Sequence, residues 1–204
     1  MRITRRASGE IIEIDARRLN SGTLEVEGYE LTASWRGDTP IGRVEVLWDS
    51  TYTADYLFEL PRGAPVRSGV GNYYRWEPGF RIRSNLDVAW RRDAWSAAVG
   101  LRWYSALDEA CVAPVFAGFA QLCSSPDIAS PTHFGQAENR IGSRTYVDLQ
   151  LGYELPWSGR ATVGLNNAFD RDPPIAYSAF ANSFDPSYPI PGRFWYLRWE
   201  QVFD

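Results

Sequence analysis

The chain has little of several residue types that usually reveal a function. Its 204 residues include one histidine, one methionine and two cysteines, and they contain no apolar run close to the length of a transmembrane helix. Because such a helix needs about 20 consecutive apolar residues, the sequence excludes a helical membrane protein. The chain also has no run of basic residues, and its net charge of -4 argues against a nucleic-acid partner.

Side chains that carry catalysis are too sparse to form a site. His133 is the single histidine and lies in a predicted loop, so neither a Ser-His-Asp triad nor a histidine-based metal site is predicted. The acidic pairs Asp108 with Glu109 and Asp170 with Asp172 are interpreted as solvated loop charges. The sequence therefore predicts a protein that is not an enzyme and that uses no cofactor or metal.

The N-terminus and the cysteines bear on the compartment. Residues 1–7 are positively charged, but no apolar segment follows them, so no export signal is recognised. Cys111 and Cys123 lie twelve residues apart in a region without strand pattern. This spacing suits a disulfide that closes a short loop, which would contribute about 3 kcal/mol and indicate an oxidising compartment. A pair of free thiols is the alternative.

Aromatic residues and strand-like alternation are what the chain has in abundance. It contains nine Trp, eleven Tyr and ten Phe, a composition that fits both membrane girdles and sugar-binding platforms. Apolar and polar residues alternate with the period of a β-strand. Seven segments show this alternation, at residues 24–35, 43–56, 80–91, 95–105, 145–155, 160–167 and 192–204. Residues 9–21 are predicted to be a loop that leads into the first of them.

The connections between the predicted strands alternate in length. The short ones span residues 36–42, 92–94 and 156–159, and the long ones span residues 57–78, 106–144 and 168–192. In an antiparallel up-and-down sheet, this order places every short turn at one end and every long loop at the other. Short periplasmic turns opposite long extracellular loops are typical of outer-membrane β-barrels.

The two faces of the predicted strands differ in polarity. One face carries no charge in strands two to seven and is predicted to contact lipid. Aromatic residues near its two borders are predicted to form interfacial girdles, with Trp35, Trp90, Trp95, Tyr153 and Phe203 at the short-turn end and Tyr52, Tyr56, Phe80, Trp103 and Trp195 at the other. The opposite face would line the lumen, and its candidate residues are Arg81, Arg83, Asp87, Arg102, Asp148, Gln150 and Arg198.

The alternative interpretation is a secreted, Trp-rich carbohydrate-binding β-sandwich. In such a module the apolar face of each strand would be core, and exposed aromatic rings would bind sugars. The alternation of short and long connections and the charge-free face both count against it.

Three segments carry a resemblance to a known family. Asn20 to Leu31 looks like an Asn-x-Gly entry into a strand with an internal Gly-x-Glu, Leu165 to Pro174 is similar to Asn-Leu-Phe-Asp-x-x-Pro-Pro with Ala168 in place of Leu, and Pro191 to Arg198 is similar to a Gly-Arg-x-hydrophobic final strand. Together they resemble the C-terminal part of a TonB-dependent outer-membrane receptor.

The resemblance implies a 22-stranded barrel in the bacterial outer membrane, filled by an N-terminal plug. Such receptors import ferric siderophores, vitamin B12, haem or saccharides with energy from TonB. Residues 1–204 would form an antiparallel up-and-down segment of about seven strands, unclosed on its own and without the plug. The expected function is TonB-energised uptake of a scarce nutrient such as a ferric siderophore.

The resemblance also implies partners. These are outer-membrane lipid, the barrel assembly machinery, and TonB acting through the plug of a full-length protein. The assembly machinery would recognise a C-terminal signal that contains Trp199 and Phe203.

Overall fold

The structure is a computed structural model that describes residues 2–15, 20, 22–74, 77–130, 135–179 and 184–203. The strands are β1 Arg2–Arg5, β2 Ile11–Asp15, β3 Thr23–Thr39, β4 Gly42–Glu59, β5 Arg67–Ser68, β6 Asn72–Tyr74, β7 Glu77–Pro78, β8 Ile82–Arg92, β9 Trp95–Tyr104, β10 Leu107–Ala110, β11 Ser125–Ser130, β12 Gln136–Ile141, β13 Arg144–Leu155, β14 Gly159–Asn166 and β15 Phe194–Gln201. Two short helices, α1 (Val112–Phe116) and a 3-10 turn (Ala120–Leu122), lie between β10 and β11.

The main sheet is an antiparallel meander. Its strand order is β15-β14-β13-β9-β8-β4-β3, and β5 adds a short pairing to the end of β4. The predicted all-β class and the antiparallel arrangement are therefore confirmed. Short hairpin turns join β3 to β4, β8 to β9 and β13 to β14, and Asp93 and Ser158 take the positive φ angles of 50° and 58° that tight turns require.

The cross-strand register gives the main sheet one apolar face. Directly paired residues share a face, and one such row runs through Ala33, Trp48, Leu86, Leu101 and Val147. Towards the other edge, the rows Val99–Leu149–Leu165–Trp195 and Ala97–Leu151–Val163–Leu197 continue the same face. Alternation along each strand places the charged residues on the opposite face.

A second, five-stranded sheet lies in the long connections. Its order is β11-β12-β10-β6-β7, so it joins segments of the first and second long connections. The prediction that residues 106–144 lack strands is wrong for β10, β11 and β12. The described strands of this sheet have two to six residues each, and alternation over so few positions is too short to be recognised in sequence.

The prediction of a loop at residues 9–21 is also partly wrong, because β2 pairs with β1 in an antiparallel hairpin. Ile3 is opposite Ile14, and Gly9 has a φ of 88° in the connecting turn. The β-branched residues Ile11, Ile12 and Ile14 favour the extended backbone of this hairpin.

All three long connections contribute to one buried cluster, which we name the loop core. Its members are Tyr73, Phe80, Leu107, Ile141, Tyr146, Ala176, Ala179 and Tyr188, with Tyr104 packed against them. The rings of Phe80, Tyr104 and Tyr188 have centroids 5.1 to 5.4 Å apart. The loop core lies over the ends of β9 and β13, so the long connections fold back onto the sheet.

Phe80 was predicted on the outward apolar face, and this prediction is wrong. The side chain is 6% exposed in the loop core. β8 begins only at Ile82, so the alternation of the strand does not extend to Phe80. In the described part of the chain, no helix is both long and apolar enough to cross a membrane.

Candidate functional site

The apolar face of the main sheet is uncovered. Trp195 is 73% exposed, Leu197 is 72% exposed and Trp199 is 56% exposed, and half-exposed side chains extend the face to Leu31 and Trp35 on the opposite edge. Isolated apolar side chains are common at protein surfaces, but a continuous patch across a whole sheet marks an interaction surface. The face requires an apolar neighbour.

Aromatic side chains border this face at the short-turn end. The rings of Trp95 and Tyr153 lie with centroids 4.6 Å apart, and Nε1 of Trp90 donates a hydrogen bond of 2.8 Å to the carbonyl oxygen of Ile41. Because an indole has an apolar body and one N–H donor, this placement satisfies both parts at a boundary between apolar and polar surroundings.

At the other border, Tyr29 and Tyr52 stack with ring centroids 6.4 Å apart. One level further inside, Nε1 of Trp48 donates a hydrogen bond of 2.7 Å to Oγ of Ser84. Aromatic residues with polar tips therefore frame the apolar face on both sides.

The polar face carries charge pairs. Nη2 of Arg102 lies 2.8 Å from Oδ2 and 3.1 Å from Oδ1 of Asp148, and both side chains are about one-third exposed. Oδ1 of Asp148 also accepts a hydrogen bond of 2.8 Å from the backbone N–H of Asn167. Since the carboxylate is satisfied by a cation and a backbone donor, this pair is held in a fixed geometry.

Two neighbouring cavities open on the polar face at its long-loop end. One of about 350 Å³ is lined by Asp49, Thr51, Arg83, Asn85, Trp103, Tyr104 and Ser187, and the other of about 250 Å³ is lined by Val26, Thr53, Tyr56, Pro78, Gly79, Phe80, Arg83 and Ser187. Arg83 and Ser187 line both. The first offers a guanidinium, a carboxylate, an amide and hydroxyls, which is a set that can bind a polar small molecule.

Two buried carboxylates fasten the long connections above these cavities. Glu109 is 0% exposed, and its oxygens accept hydrogen bonds from Nδ2 of Asn139 (2.8 Å), the N–H of Tyr177 (3.0 Å) and the N–H of Ser178 (2.7 Å). The prediction that Glu109 is a solvated loop charge is therefore wrong. Its neighbour Asp108 is paired with Arg140 at 3.2 Å.

Asp185 is the second carboxylate, and it joins the first and third long connections. Oη of Tyr73 donates to Oδ2 of Asp185 at 2.5 Å, and the N–H of Ser187 donates to Oδ1 at 2.7 Å. Burial raises the pKa of Tyr73 above its ordinary value of 10.0, and the hydrogen bond to Asp185 raises it further. Burial also raises the pKa of Tyr188.

The second and third segments that carried the family resemblance contact each other. Nδ2 of Asn167 donates to the carbonyl oxygens of Arg171 (2.9 Å) and Pro191 (3.3 Å). Oδ1 of Asp170 accepts a hydrogen bond of 2.7 Å from the N–H of Arg193. The start and the end of the third long connection are therefore held together directly above β14 and β15.

Comparisons with known proteins assign no family. No family model matches the chain, and no curated protein matches it. Among solved structures, a point mutant of the ferric enterobactin receptor from Pseudomonas aeruginosa matches with a TM-score of 0.46 and 15% sequence identity, over 85% of this chain and 22% of that chain. The chain thus spans about a fifth of the length of that receptor.

Six of the predicted lumen-facing residues lie together on the polar face of the sheet. These are Arg83, Asp87, Arg102, Asp148, Gln150 and Arg198. Oε1 of Gln150 accepts a hydrogen bond of 3.2 Å from Oη of Tyr196, and Arg198 is paired with Glu200 at 2.8 Å. Arg81 departs from this set, because Nη1 lies 3.3 Å from Oη of Tyr52, on the apolar face.

The remaining predicted residues have the following positions. Cys111 and Cys123 form a disulfide around α1. Trp199 is opposite Ala161 on the apolar face, and Phe203 is 87% exposed beyond the end of β15. His133 lies outside the described residues, and among those that are described no group of three metal-binding side chains occurs.

Sequence reasoning missed Ser187, Glu109 and Asp185. Ser187 and Asp185 lie in a proline-rich connection without periodicity, and Glu109 lies in a strand of four residues. No local pattern distinguishes them from solvated loop residues, because their partners are distant in sequence.

Proposed function

We propose that the chain forms part of the wall of a β-barrel receptor in the bacterial outer membrane. The observation that carries the proposal is the register of the main sheet, which aligns one apolar face across seven consecutive antiparallel strands, with no charged residue between its two aromatic borders. In this arrangement lipid covers the apolar face, and the face with Arg102 and Asp148 lines a hydrated lumen.

The height of the apolar face supports a membrane location. From Val44, near the short turn, to Tyr52, at the opposite border, the strand advances by about 26 Å at roughly 3.3 Å per residue. A strand tilt of about 40° reduces this to about 20 Å along the membrane normal, close to the roughly 25 Å apolar band of outer-membrane barrels.

The proposed role is uptake of a scarce nutrient, such as a ferric siderophore, with energy from TonB, and not catalysis. The resemblance of residues 20–31, 165–174 and 191–198 to TonB-dependent receptors supports it, as does the contact between the second and third of these segments. The ligand would be captured by the long connections and by the lumen-facing residues beneath them. Arg83 is the lumen-facing residue next to both cavities.

The proposal includes the partners that this role needs. Residues 1–204 would be the C-terminal portion of the barrel, the assembly machinery would recognise Trp199 and Phe203, and TonB would act through a plug domain. No bound cofactor has a part in this role.

Membrane fractionation tests the location. After expression in a Gram-negative host with an export signal, the chain is expected in the outer-membrane fraction, resistant to alkaline carbonate and extracted only by detergent. A chain that stays soluble and folded in aqueous buffer without detergent would contradict the barrel and support a secreted carbohydrate-binding module instead.

Uptake assays test the transported ligand. Deletion of the gene that encodes the chain should abolish accumulation of a radiolabelled ferric siderophore by the native cell, and a protonophore should have the same effect on the parent strain. Unchanged accumulation of every iron chelate tested would contradict siderophore uptake while leaving the membrane location intact.

A further inference from the structure

Arg81 is an exposed cation at the border of the apolar face. It directly precedes β8, and its carbonyl oxygen accepts a hydrogen bond of 2.9 Å from the N–H of Thr53. Its guanidinium carbon lies 6.0 Å from the ring centroid of Tyr52, and Nη1 lies 3.3 Å from Oη of that tyrosine. Because Tyr52 is opposite both Tyr29 and Ile82 on the apolar face, the charge of Arg81 is presented on that side of the sheet.

The level of Arg81 corresponds to the edge of the apolar band. Tyr52 and Ile82 form the first row of the apolar face at the long-loop end, and Ser50 with Ser84 forms the next row inward. Below these serines, the rows from Trp48 with Leu86 to Val44 with Trp90 carry no charge. An arginine at this level can place its guanidinium among lipid headgroups while the strand below it remains in the apolar layer.

No described residue neutralises the charge of Arg81. Its polar partner is a neutral phenol, and no carboxylate of the described residues lies within ion-pair distance of it. By contrast, Arg36, Arg43 and Arg102 each pair with a carboxylate at 2.8 to 3.0 Å. In a chain with a net charge of -4, an exposed unpaired guanidinium on an apolar face provides a site for an external anion.

The tyrosines beside Arg81 complete a set of donors. Tyr29 is 63% exposed, Tyr52 is 40% exposed, and their rings are stacked. When Oη of Tyr52 accepts from Arg81, its own O–H is free to donate outward. One planar guanidinium and two exposed tyrosine side chains therefore lie together at this border, and the donors of these groups suit the oxygens of a phosphate group.

We propose that Arg81, Tyr52 and Tyr29 bind the headgroup phosphate of an anionic lipid in the leaflet at the long-loop end. The inference rests on the proposed function, because lipid reaches these residues only if the apolar face is embedded in a membrane. Charge complementarity identifies the lipid as anionic: the apolar face below recruits acyl chains of any lipid, whereas the unpaired guanidinium favours a net negative headgroup.

Native mass spectrometry of the full chain in detergent micelles, titrated with single lipids, tests the proposal. Phosphatidylglycerol is expected to form adducts at lower concentration than phosphatidylcholine. The Arg81→Gln variant should weaken phosphatidylglycerol binding by about fivefold, the loss that one basic residue near a membrane surface produces. Arg91→Gln is the matched control, because Arg91 lies in β8, which Arg81 directly precedes, but on the polar face, opposite Arg43 and Ser96.

Circular dichroism checks that each variant is folded. Two further variants show whether weaker binding comes from loss of the charge and not from loss of the fold. Arg81→Lys keeps the charge and should retain most of the binding, and Tyr52→Phe keeps the ring but should weaken binding less than Arg81→Gln. Equal binding of the two lipids, or equal binding by Arg81→Gln and the parent chain, would overturn the lipid site.

The remaining outcomes separate this site from the proposed function. Displacement of phosphatidylglycerol by millimolar inorganic phosphate would overturn the assignment to a lipid in favour of a free anion. A chain that enters micelles without any preference for anionic lipid overturns only the site, whereas a chain that stays in aqueous solution without detergent overturns the proposed function as well.

Discussion

Asn167 shows how one side chain organises the end of β14. It is 2% exposed and has a φ of 48°, a conformation that asparagine tolerates better than most residues. Oδ1 accepts from the N–H of Arg171 at 2.9 Å, and Nδ2 donates to the carbonyl oxygens of Arg171 and Pro191. Its backbone N–H reaches Asp148. A single residue thus connects two strands and both ends of the third long connection.

Replacement of this residue should be costly. Asn167→Ala removes three side-chain hydrogen bonds. It also places at positive φ an alanine, which tolerates this backbone conformation less well than asparagine does. The free energy of unfolding should therefore fall by about 2 kcal/mol. Urea unfolding in detergent micelles, followed by tryptophan fluorescence, measures this loss. Asn166→Ala, at the exposed neighbouring position, should change stability by less than about 0.5 kcal/mol. Equal effects at the two positions would contradict the bonding role of Asn167.

At the level of elements, the loop core depends on contacts between connections that are far apart in sequence. Glu109, in β10, bonds the third connection at Tyr177 and Ser178, and Asp185 in that connection bonds Tyr73 of the first. A buried carboxylate is stable only when its oxygens are satisfied by donors. These two residues therefore make the three connections one unit above the cavities.

The Glu109→Gln variant should loosen this unit. The amide keeps the shape of the carboxylate, but one oxygen acceptor becomes an N–H donor that faces other donors, at a cost of about 2 kcal/mol. Hydrogen exchange at the amides of Tyr177 and Ser178 should become faster, while exchange in β13 and β14 should not change. Asp127→Asn, at an exposed site in β11, is the control, and faster exchange in that control would contradict a specific role of Glu109.

The buried tyrosines make the loop core sensitive to high pH. The pKa values of Tyr73 and Tyr188 are raised from 10.0 by burial, so the folded state keeps protons that the unfolded state loses above about pH 10. The stabilisation is complete below that pH and decreases as pH rises further. Phenolate absorbance should show a late phase from buried tyrosines that ionise only when the loop core opens. In a Tyr73→Phe variant one of these should disappear, and an unchanged late phase would refute the assignment.

The long strands were predictable from sequence because each has an apolar environment on one face and a polar environment on the other, which produces alternation of apolar and polar residues. Within β9, β13 and residues 43–53 of β4, alternation over ten or more residues identifies both the strand and its faces, but a bulge after residue 53 reverses the faces of the β4 residues that follow. Alternation applies only where residues are paired, so it failed just before β8, where Phe80 turns into the loop core and Arg81 reaches Tyr52. The loop core was not predicted, since contacts such as Tyr73 with Asp185 leave no local pattern in the sequence.

At the scale of the whole molecule, the structure has three levels. Short turns and aromatic rings form one end, the apolar face forms the middle, and the loop core with its cavities forms the other end. Each strand of the main sheet pairs with its neighbour in the meander, so a shift of one residue in any pairing would move apolar side chains to the polar face. The continuity of the apolar face across every pairing indicates that one environment covers all of it.

A charged residue introduced at the centre of the apolar face tests whether lipid or water covers that face. Leu86 lies midway between the two borders, opposite Trp48 and Leu101, and Asn85 is the adjacent, exposed residue on the polar face. In lipid, Leu86→Arg should lower the free energy of unfolding by about 2 to 4 kcal/mol, whereas Asn85→Arg should have an effect below about 0.5 kcal/mol. Urea unfolding of the chain inserted in phosphatidylcholine vesicles measures both. If Leu86→Arg is tolerated as well as Asn85→Arg, water covers the apolar face and the barrel wall is refuted, because only a hydrocarbon layer penalises the guanidinium on one face and not on the other.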